Sequence, residues 1–297
     1  RKAKVISVDV DPNELNKNRG LKIDLKINID LSNFFKEINK INNFKIKDIE
    51  KWNIKALQWK NKYPIVLQEY REQKNFVNPY VFMEKLSKLL KNDDILVADD
   101  GAHLTWAIQG LKIKENQRLF SAFGNSPMGY AFPAAIGASI AKNKKKIICI
   151  DGDGSIQMNI QEMHTMISNK LPIKIIIMNN NGYGIIKQFQ KLYLNSRFEA
   201  TGKGLSNPNF KKIAYSYGVG YSIIKKNNEI DKVLRKKLNS NKAEFIDIKI
   251  EPNQKIVPKL TFGDPIEDLS PKISKKEFLN NMFVETIRPS KKLIESN

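Results

Sequence analysis

Two short apolar runs in this chain each end in a cluster of polar and glycine residues. The first run, at residues 147–150, leads into the sequence DGDGS at 151–155. The second, at 173–178, leads into NNNG at 179–182, and a helix-like stretch at 157–168 lies between the two. Parallel strands joined by a helix bring their carboxyl ends side by side, where open α/β sheets bind ligands. The pattern predicts a crevice with a carboxylate, an amide oxygen and exposed glycine backbone, which suits a divalent cation carrying a phosphate ester.

The same alternation of strands and helices continues on both sides of this unit. Further helices are predicted at 79–90, 131–141 and 230–238, and further strands at 95–98, 119–122 and 245–250. The predicted fold class is therefore α/β, with a doubly wound, mostly parallel sheet and helices on both faces. We divide the chain into the tail of a preceding α/β domain (1–42), a connector (43–77), the domain that contains the sheet (78–255) and a C-terminal tail (256–297).

The formal net charge of +20 raises the question of a nucleic-acid partner. The lysines, however, are spread along the whole chain, and aromatic residues do not interleave with them as single-strand binding requires. A basic nucleic-acid-binding protein is thus the alternative from another class, and we do not favour it. No run approaches the ~20 apolar residues of a membrane span, and the single cysteine, Cys149, fits a reducing compartment. We predict a cytoplasmic protein without a membrane partner.

The first cluster alone also has the carboxylate spacing of a calcium-binding EF-hand loop. Asp151, Asp153 and Ser155 alternate along it, and Glu162 stands at the twelfth position. However, Ile156 occupies the sixth position, where such a loop turns on glycine, and the preceding run is β-branched rather than helical. A dinucleotide-binding GxGxxG turn and a Walker loop are both absent from the sequence. The two clusters are therefore interpreted together, as one site.

Taken together, the clusters resemble the diphosphate-binding motif of thiamine-diphosphate-dependent enzymes. The surrounding sequence is similar to the acetolactate synthase large subunit and its relatives. The stretches that carry this similarity are residues 5–18, 59–64, 101–109, 124–138 and 151–190. The resemblance implies the end of a central domain followed by the complete diphosphate-binding domain.

By this resemblance, Asp153, Asn180 and Gly182 would bind Mg²⁺ through a carboxylate, an amide oxygen and a backbone carbonyl. Two diphosphate oxygens and a water would complete the near-octahedral shell that Mg²⁺ requires. Met128 would wedge the cofactor into a bent form in which its own amino group reaches the carbon to be deprotonated. The residues implied to contact thiamine diphosphate are Ala102, His103, Ser126, Met128, Gly152, Gly154, Ser155 and Tyr183.

The family resemblance implies an enzyme that decarboxylates a 2-oxo acid and joins the product to a second carbonyl compound. Conversion of two pyruvates into acetolactate and CO₂ is the main hypothesis. Another 2-oxo acid decarboxylase or carboligase is the alternative, because Phe189 and Lys187 stand where acetolactate synthases commonly have tryptophan and arginine. Leu104 likewise replaces a usual glutamine, so one polar contact would be missing.

The family's activating glutamate would lie in a domain upstream of Arg1 and would come from a neighbouring subunit. We therefore predict no catalytic acid or base in this chain, and weak cofactor binding without turnover when it is isolated. The same resemblance implies a homodimer or homotetramer with the active site at the subunit interface. FAD stays open as a further cofactor, since the central domain would hold it. The intact Asp153 and Asn180 argue against a degenerate, non-catalytic subunit.

Overall fold

The computed structural model describes residues 3–17, 20, 22–41, 49–201 and 204–286 of the chain. The chain divides into two compact units, one formed by Arg1–Tyr63 with Leu260–Asn297 and the other by Pro64–Lys259. The predicted sheet domain at 78–255 lies inside the second unit, and its exact boundaries stay a prediction. The predicted boundary at residues 42–43 lies outside the described residues. Among the described residues, no helix has both the length and the apolar surface that crossing a bilayer requires.

The first unit contains a small parallel α/β arrangement. Strands β1 (Ile6–Asp9) and β2 (Leu25–Asn28) pair in parallel, and their helices are α1 (Pro12–Asn16), α2 (Leu31–Ile38) and α3 (Ile49–Lys62). The side chains of Asp11 and Asp30 cap α1 and α2, because each accepts a hydrogen bond from a backbone N–H in the first turn. A C-terminal helix, Lys275–Asn281, also belongs to this unit and contacts α3, where Trp59 Nε1 donates to Asn281 Oδ1 at 2.8 Å.

The second unit is built on a parallel sheet. Its described strands are β3 (Ile95–Ala98), β4 (Arg118–Phe120), β5 (Ile147–Gly152), β6 (Lys174–Asn179), β7 (Gly220–Ile224) and β8 (Glu244–Lys249). They lie in the order β4-β3-β5-β6-β8-β7, and every described pair is parallel. The helices are α4 (Gln68–Arg71), α5 (Pro79–Leu89), α6 (Ala102–Gly110), α7 (Ala131–Ala141), α8 (Met163–Ser168), α9 (Gly184–Tyr193), α10 (Phe210–Ser216) and α11 (Ile230–Leu238).

Helices cover both faces of this sheet, which confirms the predicted doubly wound α/β fold. Side chains alternate along each strand, so Ile148 and Ile150 pack with α5, α6 and α11 on one face. Ile147 and Cys149 pack with α7, α8 and α10 on the other. Cys149 is fully buried there, and burial raises the pKa of its thiol well above the usual value. It is a core residue of the sheet.

The central pair of strands sets the position of the two polar clusters. The register of β5 and β6 places Asp151 opposite Ile177 and Gly152 opposite Met178. Both strands therefore end at the same level, and the residues that follow them emerge side by side. This is the arrangement that the sequence pattern predicts.

One prediction about local structure was wrong, and one strand was missed. The segment at 157–168 is not one α-helix: a 3₁₀ helix, Ser155–Glu162, precedes α8, and Asn159 has non-helical torsion angles of −135° and 30°. The cause is a long-range contact, because Asn159 Nδ2 donates to the carbonyl oxygen of Gly129 at 2.6 Å. The edge strand β7 was not predicted, since most of its residues are half-exposed and lack a continuous apolar run.

Gly129 provides a test of how closely the 3₁₀ segment packs on the turn before α7. Its φ is 87°, and a Cβ there would lie 2.7 Å from the Cβ of Met158. We expect Gly129→Ala to lower the free energy of unfolding by more than about 1 kcal/mol, measured by urea denaturation. Gly137→Ala is the matched control, because Gly137 lies in α7 with nothing within 4 Å of its Cβ position. It should stabilise the protein by up to about 1 kcal/mol, and equal effects at the two sites would contradict the packing.

Candidate functional site

A cleft opens at the carboxyl ends of β3, β5 and β6. Ten of the eleven predicted site residues line it. They are Ala102, His103, Met128, Gly152, Asp153, Gly154, Ser155, Asn180, Gly182 and Tyr183. Ser126 is not among the lining residues: it lies on the exposed turn before Met128, with a φ of 43°, and its hydroxyl donates to the carbonyl of Phe123 at 3.0 Å.

Three oxygen atoms converge at one end of this cleft. The side-chain oxygen of Asn180 lies 3.2 Å from Asp153 Oδ1 and 2.7 Å from the carbonyl oxygen of Gly182. Oxygens bound side by side on an octahedral Mg²⁺ lie about 3.0 Å apart, given metal–oxygen distances of ~2.1 Å. Without a cation, the amide would turn over so that its NH₂ group donates to both oxygens. The donor set and its spacing therefore fit a small, hard divalent cation.

Asp153 is almost completely buried, with 1% of its surface exposed. Its Oδ2 accepts hydrogen bonds from the N–H of Gly182 at 2.9 Å and from the side-chain amide of Asn207. Burial raises the pKa of this carboxyl to about 6, and the two hydrogen bonds partly oppose that rise. A buried carboxylate of this kind gains from a cation that replaces the lost hydration.

The cleft also has features that suit an anion. Three helices begin there, at Ala102, Ser155 and Gly184, and all three residues line the cleft. Helix N-termini present free N–H groups and a partial positive charge. Two positions there require glycine, because a Cβ on Gly154 would lie 2.3 Å from the ring of Tyr183, and one on Gly152 would lie 2.9 Å from His103. No lysine or arginine is among the described lining residues, so an anion there would meet backbone N–H groups and no cationic side chain.

His103 lies between the glycine-containing turns after β3 and β5. Burial lowers the pKa of its imidazole to about 4. A hydrogen bond with the Asp99 backbone favours the charged form and partly opposes this effect. The ring is therefore neutral at pH 7. Its Nε2 is buried without a hydrogen-bond partner among the described residues. Leaving a buried nitrogen without a hydrogen bond costs free energy. A ligand in the cleft that hydrogen-bonds to Nε2 would remove that cost.

Two further buried carboxyls lie beneath the cleft. Asp99 accepts hydrogen bonds from the N–H groups of Gly129 at 2.9 Å and Ala131 at 2.7 Å, which ties the turn before α7 to the end of β3. Asp151 accepts from the Ser155 hydroxyl and from the Gly152 N–H. Burial raises the pKa of both carboxyls, and their mutual repulsion raises the pKa of Asp151 further. These two residues hold the turns that line the cleft in place.

Sequence reasoning missed several residues of the site. Asn207 and Gln157 contact Asp153 directly, and Asp99 and Asp151 hold the turns that line the cleft. In the sequence, Asn207 followed by Pro208 is typical only of the start of a helix. A short polar loop far along the chain has no periodic pattern, so no signal in the sequence connected Asn207 with Asp153.

Comparison with known proteins agrees with this geometry. A family model described as thiamine pyrophosphate enzyme, C-terminal TPP binding domain, matches residues 99–248, half of the chain. The chain belongs to the thiamine pyrophosphate enzymes. The matched segment contains all of the residues that line the cleft, including the three oxygen donors described above, which confirms the predicted family.

The chain is also similar to acetolactate synthase large subunits. It is 31% identical to that of Porphyra purpurea over 88% of this chain and 44% of the relative, and 31% identical to that of Haemophilus influenzae over 90% and 46%. A probable acetolactate synthase large subunit of Methanocaldococcus jannaschii is 32% identical over 93% of this chain and 48% of the relative. The chain thus spans about half the length of the curated relatives it matches.

The raised pKa of Asp153 predicts how cation binding depends on pH. A cation must displace the proton whenever the pH lies below the carboxyl pKa of about 6. We expect the affinity for Mn²⁺, followed by electron paramagnetic resonance without any phosphate compound, to be flat from pH 8 to 7. It should then fall about tenfold for each pH unit below 6. A constant affinity down to pH 5 would contradict the burial of this carboxylate.

Proposed function

We propose that this chain binds thiamine diphosphate through Mg²⁺ and contributes the diphosphate-binding part of an enzyme acting on 2-oxo acids. The observation that carries the proposal is the convergence of Asp153, Asn180 and Gly182 oxygens beside three helix N-termini. A cation at these oxygens would face an anion at the helix starts, which is the charge pattern of a metal diphosphate. Family membership supports the same ligand.

The residues of this chain then have distinct roles. Asp153 and Asn180 would hold the cation, and the Gly154 and Ser155 N–H groups would bind phosphate oxygens. His103 is neutral, so its free ring nitrogen can donate to or accept from the ligand without adding charge. When bound, thiamine diphosphate supplies a nucleophilic carbon and an electron sink, while the protein orients it and excludes water. Met128, which lines the cleft from the turn before α7, would support the cofactor rings.

We propose pyruvate as the donor and acetolactate synthesis as the reaction, because the similar proteins are named as acetolactate synthase large subunits. A different acceptor is the second candidate. Lys187 is engaged with Asn253 at 2.9 Å, and Phe189 packs on Tyr193 with ring centroids 4.8 Å apart. Lys187 and Phe189 thus stand in place of the arginine and tryptophan that are common in acetolactate synthases.

The proposal further includes a cytoplasmic homodimer or homotetramer that shares its active site between subunits, with the activating glutamate supplied by another domain.

The cation site is tested by removing its ligands one at a time. We expect Asp153→Ala and Asn180→Ala to weaken Mg²⁺-dependent binding of thiamine diphosphate by more than about 100-fold in isothermal titration calorimetry. Asp93→Ala is the control, since its exposed carboxylate pairs with Lys145 at 2.5 Å before β3. Wild-type affinity in both ligand variants would defeat the proposed function.

The acceptor is tested by product analysis on the full-length enzyme. With pyruvate alone, acetolactate should form and carbon dioxide should be released. With pyruvate paired with a second 2-oxo acid or an aldehyde, a mixed product that exceeds acetolactate would favour the second candidate. Decarboxylation without any carbon–carbon bond formation would exclude both.

A further inference from the structure

Asn207 connects the two polar clusters on the side of Asp153 that faces away from the proposed cation. Its side-chain NH₂ donates to Asp153 Oδ2 and, at 3.2 Å, to Asn181 Oδ1. The other carboxylate oxygen, Asp153 Oδ1, is the one that lies 3.2 Å from the amide oxygen of Asn180. One face of the carboxylate is thus occupied by protein donors and the other is directed at the oxygen cluster.

The orientation of the Asn207 amide is determined by a second amide. Gln157 Nε2 donates to Asn207 Oδ1 at 3.2 Å and to the backbone carbonyl of Asp153 at 2.8 Å. Because an amide NH₂ only donates, the oxygen of Asn207 must face Gln157, and its NH₂ must then face Asp153. The amides of Gln157 and Asn207 together therefore place a hydrogen-bond donor at Asp153 Oδ2.

The loop that carries Asn207 is also attached near the second cluster. A Cβ on Gly182 would lie 3.4 Å from the Leu205 side chain and 4.0 Å from the carbonyl oxygen of Thr201. Thr201 in turn donates to Gln190 Oε1 at 2.6 Å, which joins this segment to α9. Asn207 consequently approaches Asp153 from a loop that packs on the turn containing Gly182.

We propose that Asn207 is a positioning residue for the cation site. By donating to Oδ2 it fixes the rotation of the Asp153 carboxylate, so that Oδ1 stays directed at the cation. The inference rests on the proposed function and deepens it, because it adds to the site a residue that does not itself touch the cation. Partners that orient a metal ligand commonly change metal affinity by about 10–100-fold when they are removed.

The test compares two asparagines of the same loop in the full chain. Asn207→Ala should raise the Kd for Mn²⁺ by about 10–100-fold, measured by electron paramagnetic resonance with saturating thiamine diphosphate. Asn209→Ala is the matched control, because Asn209 caps α10 by accepting from the Lys212 N–H at 3.1 Å. That variant should lower the melting temperature and leave the Kd unchanged.

A second readout separates positioning from a general loss of structure. In Asn207→Ala, a high Mn²⁺ concentration should restore the wild-type affinity for thiamine diphosphate, because only occupancy of the cation site is impaired. Gln157→Leu, which removes the group that orients the Asn207 amide, should shift the Mn²⁺ Kd in the same direction by a smaller factor. This variant decides the question if Asn207→Ala fails to fold.

The outcomes distinguish this inference from the proposed function. If Asp153→Ala abolishes Mn²⁺ binding while Asn207→Ala and Gln157→Leu leave the Kd unchanged, Asn207 only anchors its loop and the inference is overturned. If the wild-type chain shows no cation-dependent cofactor binding, the proposed function itself fails. An Asn207→Ala defect that high Mn²⁺ does not restore would also overturn the positioning role.

Discussion

The hydrogen bond from the Gly182 N–H to Asp153 Oδ2, 2.9 Å long, joins the two turns on which the site depends. It forms because β5 and β6 end at the same level, with Gly152 paired to Met178. A register slip of one residue would turn every side chain of a strand to the opposite face, and both buried layers of isoleucines would then be misplaced. The two apolar layers of the sheet thus hold the two turns together, and these turns orient the Asp153 carboxylate.

Much of this arrangement follows from local patterns. The apolar runs that form β5 and β6 are short and end abruptly in glycine and polar residues, so their direction and their shared edge could be predicted. Asn78 followed by Pro79 marks the start of α5, and Asn78 Oδ1 does accept hydrogen bonds from the first-turn N–H groups of Tyr80 and Val81. Where the signal is a strand period or a helix cap, neighbouring residues alone determine the structure.

The parts that could not be predicted depend on contacts between distant segments. The 3₁₀ helix after Ser155 forms because Asn159 donates to Gly129, 30 residues earlier, and a local helical pattern carries no trace of that contact. Asn207 reaches Asp153 across 54 residues for the same reason. Edge strand β7 pairs on one side only, with β8, so its half-exposed sequence lacks the apolar run that identifies a central strand.

The distribution of charge explains how a strongly basic chain can have an acidic cleft. Lys146 pairs with Asp94 at 2.9 Å and Lys237 with Glu244 at 2.8 Å, both next to the amino ends of strands, and no lysine or arginine is among the described residues that line the cleft. The carboxyl groups among the described lining residues are those of Asp100 and Asp153, and the buried Asp153 carboxylate has no cationic side chain beside it in the cleft. A divalent cation bound to the Asp153 carboxylate would make the local potential positive. The cation and the helix N-termini would then both attract a phosphate. Diphosphate binding would thus depend mainly on the bound cation and not on the net charge of the protein surface.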